Sequence, residues 1–123
     1  MRASFRPGPA AIALFALTSA CEQPLRACNY NFVYGLRIAV TDSSTGMNLA
    51  GQETIVEVRD GAYVDTVPQA TPTEYQGAGE RPGTYSIKVQ RQGFGVWQNA
   101  GIRVGEDECH VIPVLVNARL QPL

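Results

Sequence analysis

The residues of this sequence that could do chemistry are few: one histidine, three cysteines and a short acidic run. His110 directly follows Cys109, and three consecutive acids stand just before them at 106–108. A zinc hydrolase needs several ligands and a base, which a single histidine does not supply. The Gly-x-Ser-x-Gly elbow of a serine hydrolase does not occur either. We therefore predict no enzymatic activity, no cofactor and no metal site, and a structural role for His110.

The first 20 residues have the three-part layout of a secretory signal. Positions 1–9 carry Arg2 and Arg6 and no acid, positions 10–17 are almost wholly apolar, and positions 18–20 are small. The apolar stretch is shorter than the roughly 20 residues that a membrane-spanning helix needs. The sequence therefore predicts an exported chain and no plain transmembrane anchor.

The segment 17–21, Leu-Thr-Ser-Ala-Cys, resembles the lipobox of bacterial lipoproteins. The resemblance implies that the signal peptide 1–20 is removed and that Cys21 carries the lipid, with the new N-terminus acylated as well. The family usually has Leu three residues before the cysteine, where this chain has Thr18, and an ordinary secreted protein is the alternative. We expect a protein anchored to a membrane of the bacterial cell envelope. Glu22 rather than Asp follows Cys21, which favours the outer membrane, facing the periplasm, in a Gram-negative host.

The number of cysteines is consistent with this interpretation. An exported chain with three cysteines needs a use for the odd one. If Cys21 is lipidated, Cys28 and Cys109 remain as a pair, and an oxidising compartment permits a disulfide between them. Such a bond would enclose the 80 residues from 29 to 108. Two free thiols or a pair of metal ligands are the alternatives.

The body of the chain is patterned for short strands. Tyr85, Ile87 and Val89 alternate with polar residues between glycine-containing turns, so we predict that these three face a core and that Lys88 faces solvent. Positions 36–41 and 53–59 alternate in the same way, and Asp60-Gly61 predicts a tight hairpin.

Other segments have weaker strand patterns. Positions 62–67 predict a weak strand, 73–76 a short edge strand, 77–83 a turn, and 96–97 and 102–104 two short pieces. The run 109–120 has apolar residues at both odd and even positions, which predicts a strand buried on both faces or bulged at Pro113.

Three segments together resemble the carboxypeptidase regulatory-like domains: 38–46 (Ile-Ala-Val-Thr-Asp-Ser-Ser-Thr-Gly), 56–61 and 83–94. The resemblance covers about 36–120 and implies an all-β, seven-stranded, immunoglobulin- or prealbumin-like sandwich, of the kind called transthyretin-like. It implies a small non-catalytic module and transfers no functional residues. The expected domains are the signal peptide (1–20), a lipidated N-terminus and linker (21–31), and the sandwich (32–123).

The expected function is that of a non-catalytic, lipid-anchored envelope protein whose sandwich is structural or binds another protein. A carbohydrate- or metal-binding periplasmic module, and a small periplasmic enzyme using His110, are the alternatives. The net charge of −1 and the lack of a basic stripe argue against nucleic acid as a partner. For an envelope protein or a glycan, the candidate binding residues are Trp97, Phe94 and Tyr75, because aromatic rings stack on such ligands. The alternative is that Trp97 covers one end of the core.

Overall fold

A computed structural model describes residues 28–123 of the chain, so the leader and Cys21 lie outside the described residues. Within that range the protein is all-β, as predicted, with seven strands in two sheets and no helix. The strands are β1 (Tyr34–Asp42), β2 (Thr54–Asp60), β3 (Tyr63–Thr66), β4 (Glu74–Gly79), β5 (Gly83–Arg91), β6 (Trp97–Val104) and β7 (Val114–Leu120).

The two sheets have three and four strands. In the smaller sheet, of order β4-β1-β7, β4 is antiparallel to β1 and β7 is parallel to it. In the larger sheet, of order β3-β2-β5-β6, all neighbours are antiparallel. The apolar faces of both sheets contribute to one cluster of buried residues, which makes the architecture sandwich-like.

Strict alternation along the strands generates the core. Ile38 in β1 and Ile87 in β5 are buried, whereas Arg37 and Lys88 beside them point away from the core, as the period of two predicts. Ile55 in β2 is an exposed apolar residue on the outer face of its sheet, in agreement with its position in the pattern. The fully buried large side chains are Tyr85, Leu36, Ile38, Ile87, Leu120, Val40, Val56, Val58, Val89 and Val104.

Tyr85 closes one end of this core through its hydroxyl group. The hydroxyl donates a hydrogen bond of 2.7 Å to the carbonyl oxygen of Arg81, four residues upstream, and accepts one of 2.9 Å from the Arg81 guanidinium. The same guanidinium pairs with Asp60 at 3.0 Å and lies 3.9 Å from the centre of the Tyr63 ring. The hydrogen bond to Tyr85, and to a smaller extent the one to Asp60, raises the pKa of Arg81 above its usual range. The contacts join the β2–β3 hairpin to the β4–β5 turn, in the manner of the tyrosine corner of β-sandwiches.

The predicted strand map is wrong in three places. Residues 77–79, predicted as turn, are the end of β4, and the pieces at 96–97 and 102–104 are parts of one strand, β6, which is bulged opposite β5 near Gly101. The last strand begins only at Val114 and is buried on one face. Leu115 is 57% exposed and Val116 is 8% exposed. Apolar residues stand at both odd and even positions of this run because Leu115 is an apolar residue that faces solvent.

Gly35 in β1 is required by close packing between the sheets. A Cβ atom there would stand 2.6 Å from Cγ1 of Val104 and 3.0 Å from the carbonyl oxygen of Ala78. We expect Gly35→Ala to lower the free energy of unfolding by about 1–3 kcal/mol, the usual cost of overpacking. Urea denaturation checks this. Gly105→Ala is the matched control, because nothing lies within 4 Å of its Cβ position; equal stability of the two variants would contradict the prediction.

Candidate functional site

The residues selected from the sequence divide between the two ends of the sandwich. The disulfide end consists of the start of β1, the β4–β5 turn (80–82) and the β6–β7 loop (105–113), and it holds Cys28, Cys109 and His110. The distal end consists of the loops 43–53, 67–73 and 92–96 and holds Phe94. Trp97 begins β6 at that same distal end, opposite Val89.

The disulfide between Cys28 and Cys109 is formed, as predicted, with a Cα–Cα distance of 5.3 Å. It joins the segment before β1 to the β6–β7 loop. Cys28 lies at the surface, six residues ahead of the first residue of β1. The bond therefore fixes the point at which the N-terminal part of the chain joins the sandwich.

His110 connects the same two segments to a third through its imidazole. Its Nδ1 lies 2.6 Å from Oε2 of Glu80, and its Nε2 lies 2.8 Å from Oδ1 of Asn29. Since an ionised carboxylate only accepts, Nδ1 carries the proton in the first of these bonds. The β4–β5 turn, the segment before β1 and the β6–β7 loop thus meet at one histidine.

Glu80 receives three hydrogen-bond donors in this cluster. Besides His110, the backbone N–H groups of Val33 and Val111 donate to its carboxylate at 3.0 and 3.3 Å. Partial burial acts to raise the pKa of Glu80, but the bonds from His110 and the two backbone groups outweigh it, so the pKa lies below its ordinary value of 4.5. Glu80 has a φ of 47°, a conformation that non-glycine residues rarely adopt. The turn is therefore held in a strained shape by the contacts of its carboxylate.

This cluster joins three segments of the chain through hydrogen bonds. Both imidazole nitrogens of His110 are bonded to side chains, and neither is directed at a hydroxyl or thiol among the described residues. A general base needs a nitrogen within hydrogen-bond reach of the proton that it removes. The contacts of His110 are those of a structural residue.

The cluster predicts an acid-sensitive contribution to stability. Because the pKa of Glu80 is lower in the folded chain than in the unfolded one, its contribution is fully present above the unfolded value and is lost as the pH falls through the folded value. We expect Glu80→Gln to be less stable than the wild type at about pH 7 and nearly as stable at about pH 3. Urea midpoints of both proteins at the two pH values test this. Glu106→Gln, in the β6–β7 loop, is the control. If the difference in urea midpoint between the wild type and Glu80→Gln is the same at both pH values, the prediction is contradicted.

The described residues contain neither a group of metal ligands nor a helix that could span a membrane. Between 28 and 123, no three His, Cys, Asp or Glu side chains are grouped so that they could hold a metal ion. The same part of the chain contains no helix long and apolar enough to cross a bilayer.

The three aromatic residues selected as ligand contacts do not form one surface. Tyr75 is 3% exposed, and its hydroxyl donates to the carbonyl oxygen of Gly51 at 2.7 Å and accepts from the Gly51 N–H at 2.8 Å. A ring buried in this way cannot stack on a ligand, so Tyr75 is a core residue, which corrects its selection. Phe94 and Trp97 are half-buried and pack against the core at the distal end. Their role in binding remains a prediction.

An aromatic surface at the disulfide end is not among the residues that the sequence predicts. Phe32 and Tyr34 pack edge to face with ring centres 5.1 Å apart, and the Phe32 ring occupies the space where a side chain at Gly79 would stand. They line a groove of about 500 Å³ on the outer side of the smaller sheet, together with Arg37 and Pro113. The available signal was the run of aromatics just after Cys28, which the predicted boundary at residue 31 had divided between linker and domain.

Arg37 gives this groove a charged wall. Its Nε and Nη2 atoms donate to the two carboxylate oxygens of Glu74 at 3.0 and 2.8 Å, a bidentate pair across β1 and β4. The hydrogen bond to Glu74 raises the pKa of Arg37, and the bond from Arg37 lowers the pKa of Glu74. Arg37 is therefore held in place beside the exposed rings, with its charge compensated by Glu74.

A second groove lies on the outer face of the larger sheet. It measures about 560 Å³ and is lined by side chains of β2, β5 and β6, among them Arg59, Lys88 and Gln98. Lys88 faces outward as the alternation predicted. Glu57 neutralises Arg59 at 3.1 Å on the same surface.

Comparison of the chain with protein-family models and with curated proteins finds no match.

Proposed function

We propose that this chain is a non-catalytic lipoprotein of a bacterial cell envelope, anchored through Cys21, whose sandwich has a structural or protein-binding role. The observation that carries the proposal is the pairing of Cys28 with Cys109. Disulfides persist in oxidising compartments, so the pairing supports export. It also uses two of the three cysteines and leaves Cys21, directly after the leader-like segment, as the odd one.

The sandwich itself fits the transthyretin-like class that the sequence resembles. Seven strands in sheets of three and four, together with a core that spans both sheets, agree with what the resemblance implies. The segments 38–46, 56–61 and 83–94 that carry the resemblance form parts of β1, β2 and β5 and the turns that follow them. We include the carboxypeptidase regulatory-like domain in the proposal on these grounds.

The position of the disulfide suggests which end of the sandwich would face away from the membrane. Cys28 connects to the sandwich at the disulfide end, so an anchor at Cys21 would attach there and the distal end would be the part farthest from the membrane. The distal end exposes Met47 and Val96 on its loops and Leu123 at the C-terminus. Apolar side chains on loops carried by a rigid sandwich suit a protein partner in the envelope.

The anchor is tested by replacing its attachment point. We expect the wild-type chain to incorporate a palmitate analogue and to sediment with the membrane fraction, and we expect Cys21→Ala to do neither. Several acyl chains on one residue make anchoring stable, because each buried CH₂ contributes about 0.8 kcal/mol. Intact mass of the membrane-extracted protein measures the acyl groups directly.

The double variant Cys28→Ala with Cys109→Ala is the matched control, since it removes two cysteines and keeps Cys21. It should still be labelled. Cys21→Ala that remains acylated and membrane-bound would overturn the proposed anchor.

A further inference from the structure

We infer that the disulfide end of the sandwich lies on the surface of the bilayer that holds the anchor and contacts it through one face. This face, called the aromatic face below, consists of Phe32, Tyr34, Pro113 and Leu115 on the outer side of the smaller sheet. The inference rests on the proposed anchor at Cys21 and goes beyond it, because a tether alone leaves the domain free to turn. The occupant that we assign to the aromatic face is the lipid–water interface.

The length of chain between anchor and sandwich is the first argument. Seven residue steps separate Cys21 from Cys28. At about 3.5 Å per residue, even a fully extended chain holds Cys28 within about 25 Å of the lipidated residue. Because Cys28 is bonded to Cys109, the disulfide is held close to the anchor, and the sandwich cannot move away on a long linker.

The chemistry of the aromatic face is the second argument. Phe32 is 62% exposed, Tyr34 is 39% exposed and Leu115 is 57% exposed. Leu115 lies directly opposite Arg37 in the parallel β1–β7 pair, so it shares the outer face that carries the rings. Rings with one polar end and long cationic side chains are the residues that collect where hydrocarbon meets water. Arg37 fits this set, because its aliphatic stem can lie against apolar surface with its charge in water.

The rigidity of the aromatic face is the third argument. The Phe32 ring is fixed against Tyr34 and over Gly79, where the absence of a side chain leaves room for it. The segment that carries it is held by the disulfide, by the hydrogen bond that the Val33 N–H donates to Glu80, and by the contact between His110 and Asn29. Ordered apolar side chains lose little conformational freedom on contact with a surface.

Charge determines which lipids suit this contact. Three acids at 106–108 lie in the β6–β7 loop at the same end, and they would be repelled by anionic headgroups. The apolar side chains of the aromatic face are the groups that we expect to enter the interface. Vesicles of zwitterionic phosphatidylcholine are the appropriate probe.

The test measures how close single tryptophans come to the bilayer. The full, acylated chain is reconstituted in phosphatidylcholine vesicles with brominated acyl chains, in a Trp97→Phe background that removes the native tryptophan. A tryptophan is then introduced by Phe32→Trp, by Ala62→Trp or by Met47→Trp. Ala62 is at the same end but on the β2–β3 hairpin of the other sheet, and Met47 is at the distal end; both are exposed.

We expect the Phe32→Trp variant to lose most of its emission to bromine and to shift its spectrum to the blue, and the other two to change little. Equal quenching at all three positions, or none at Phe32→Trp, overturns the inference. Should Phe32→Trp fail to fold, Tyr30→Trp replaces it, because Tyr30 is fully exposed two residues away. Acylated protein with an unquenched tryptophan at either position refutes only the aromatic face. An intact mass without acyl groups refutes the proposed anchor as well.

Discussion

Removing the disulfide, with Cys28→Ser and Cys109→Ser together, is expected to lower the free energy of unfolding by about 4 kcal/mol. The bond closes a loop that spans almost all of the sandwich, so its loss restores many conformations to the unfolded chain. Typical domains are stable by about 5–15 kcal/mol, so this is a large share of the total. Urea denaturation of the oxidised protein and of the double variant measures the difference.

The control separates the bond from the cysteines themselves. Cys21→Ser removes the third cysteine and leaves the disulfide, so its urea midpoint should equal that of the wild type. A reduced wild type should unfold like the double variant. If the double variant keeps the midpoint of the oxidised wild type, the disulfide does not stabilise the fold, and the cluster around His110 holds the N-terminal segment without it.

The sequence predicts the interior of this protein well, and the reason is local. Residues such as Ile38 and Ile87 are placed in the core by a period of two, which a single strand determines without reference to its neighbours. Turn chemistry is equally local: Gly61, with a φ of 62°, follows Asp60 in a hairpin that the dipeptide itself indicates. The count of seven strands comes from the resemblance, because the local patterns alone divide β6 into two pieces.

The incorrect predictions concern residues whose burial depends on tertiary structure. Leu115 departs from the alternation of buried apolar and exposed polar residues, because it is apolar and exposed. The pattern of the run 109–120 therefore predicts a strand buried on both faces. Tyr75 was selected as a ligand contact for its ring, although its place in β4 turns that ring into the core. Side-chain type predicts what a residue can bind, and only burial determines whether a ligand can reach it.

The cluster around His110 could not be predicted for a different reason. Glu80 and His110 are 30 residues apart, and Asn29 is 81 residues from His110. None of the three belongs to a motif, and no periodicity relates a turn, a loop and the segment before β1. The sequence indicated only that a lone histidine beside a bonded cysteine has a structural role, and the contacts of its two nitrogens agree with that.

Truncation of Tyr85 is expected to be as damaging as loss of the disulfide. Tyr85→Ala removes a ring that is 1% exposed, and such truncations cost about 3–5 kcal/mol through lost burial and the cavity left behind. The hydroxyl contributes separately. Tyr85→Phe keeps the ring but leaves the Arg81 carbonyl without its donor, which should cost about 1–2 kcal/mol. Urea denaturation of both variants, with Tyr30→Phe as the exposed control, measures the two parts.

A double-mutant cycle then decides what the hydroxyl does. Arg81→Ala removes the guanidinium and its ion pair with Asp60 but leaves the backbone carbonyl that accepts from Tyr85. If the bond to the carbonyl is the important one, Tyr85→Phe costs nearly the same in the Arg81→Ala background as in the wild type, because the donor and acceptor are still present. If the guanidinium contact dominates, the cost of Tyr85→Phe falls in that background. We expect the first result, since the hydroxyl–carbonyl bond is the shorter of the two and fixes the turn from which β5 begins.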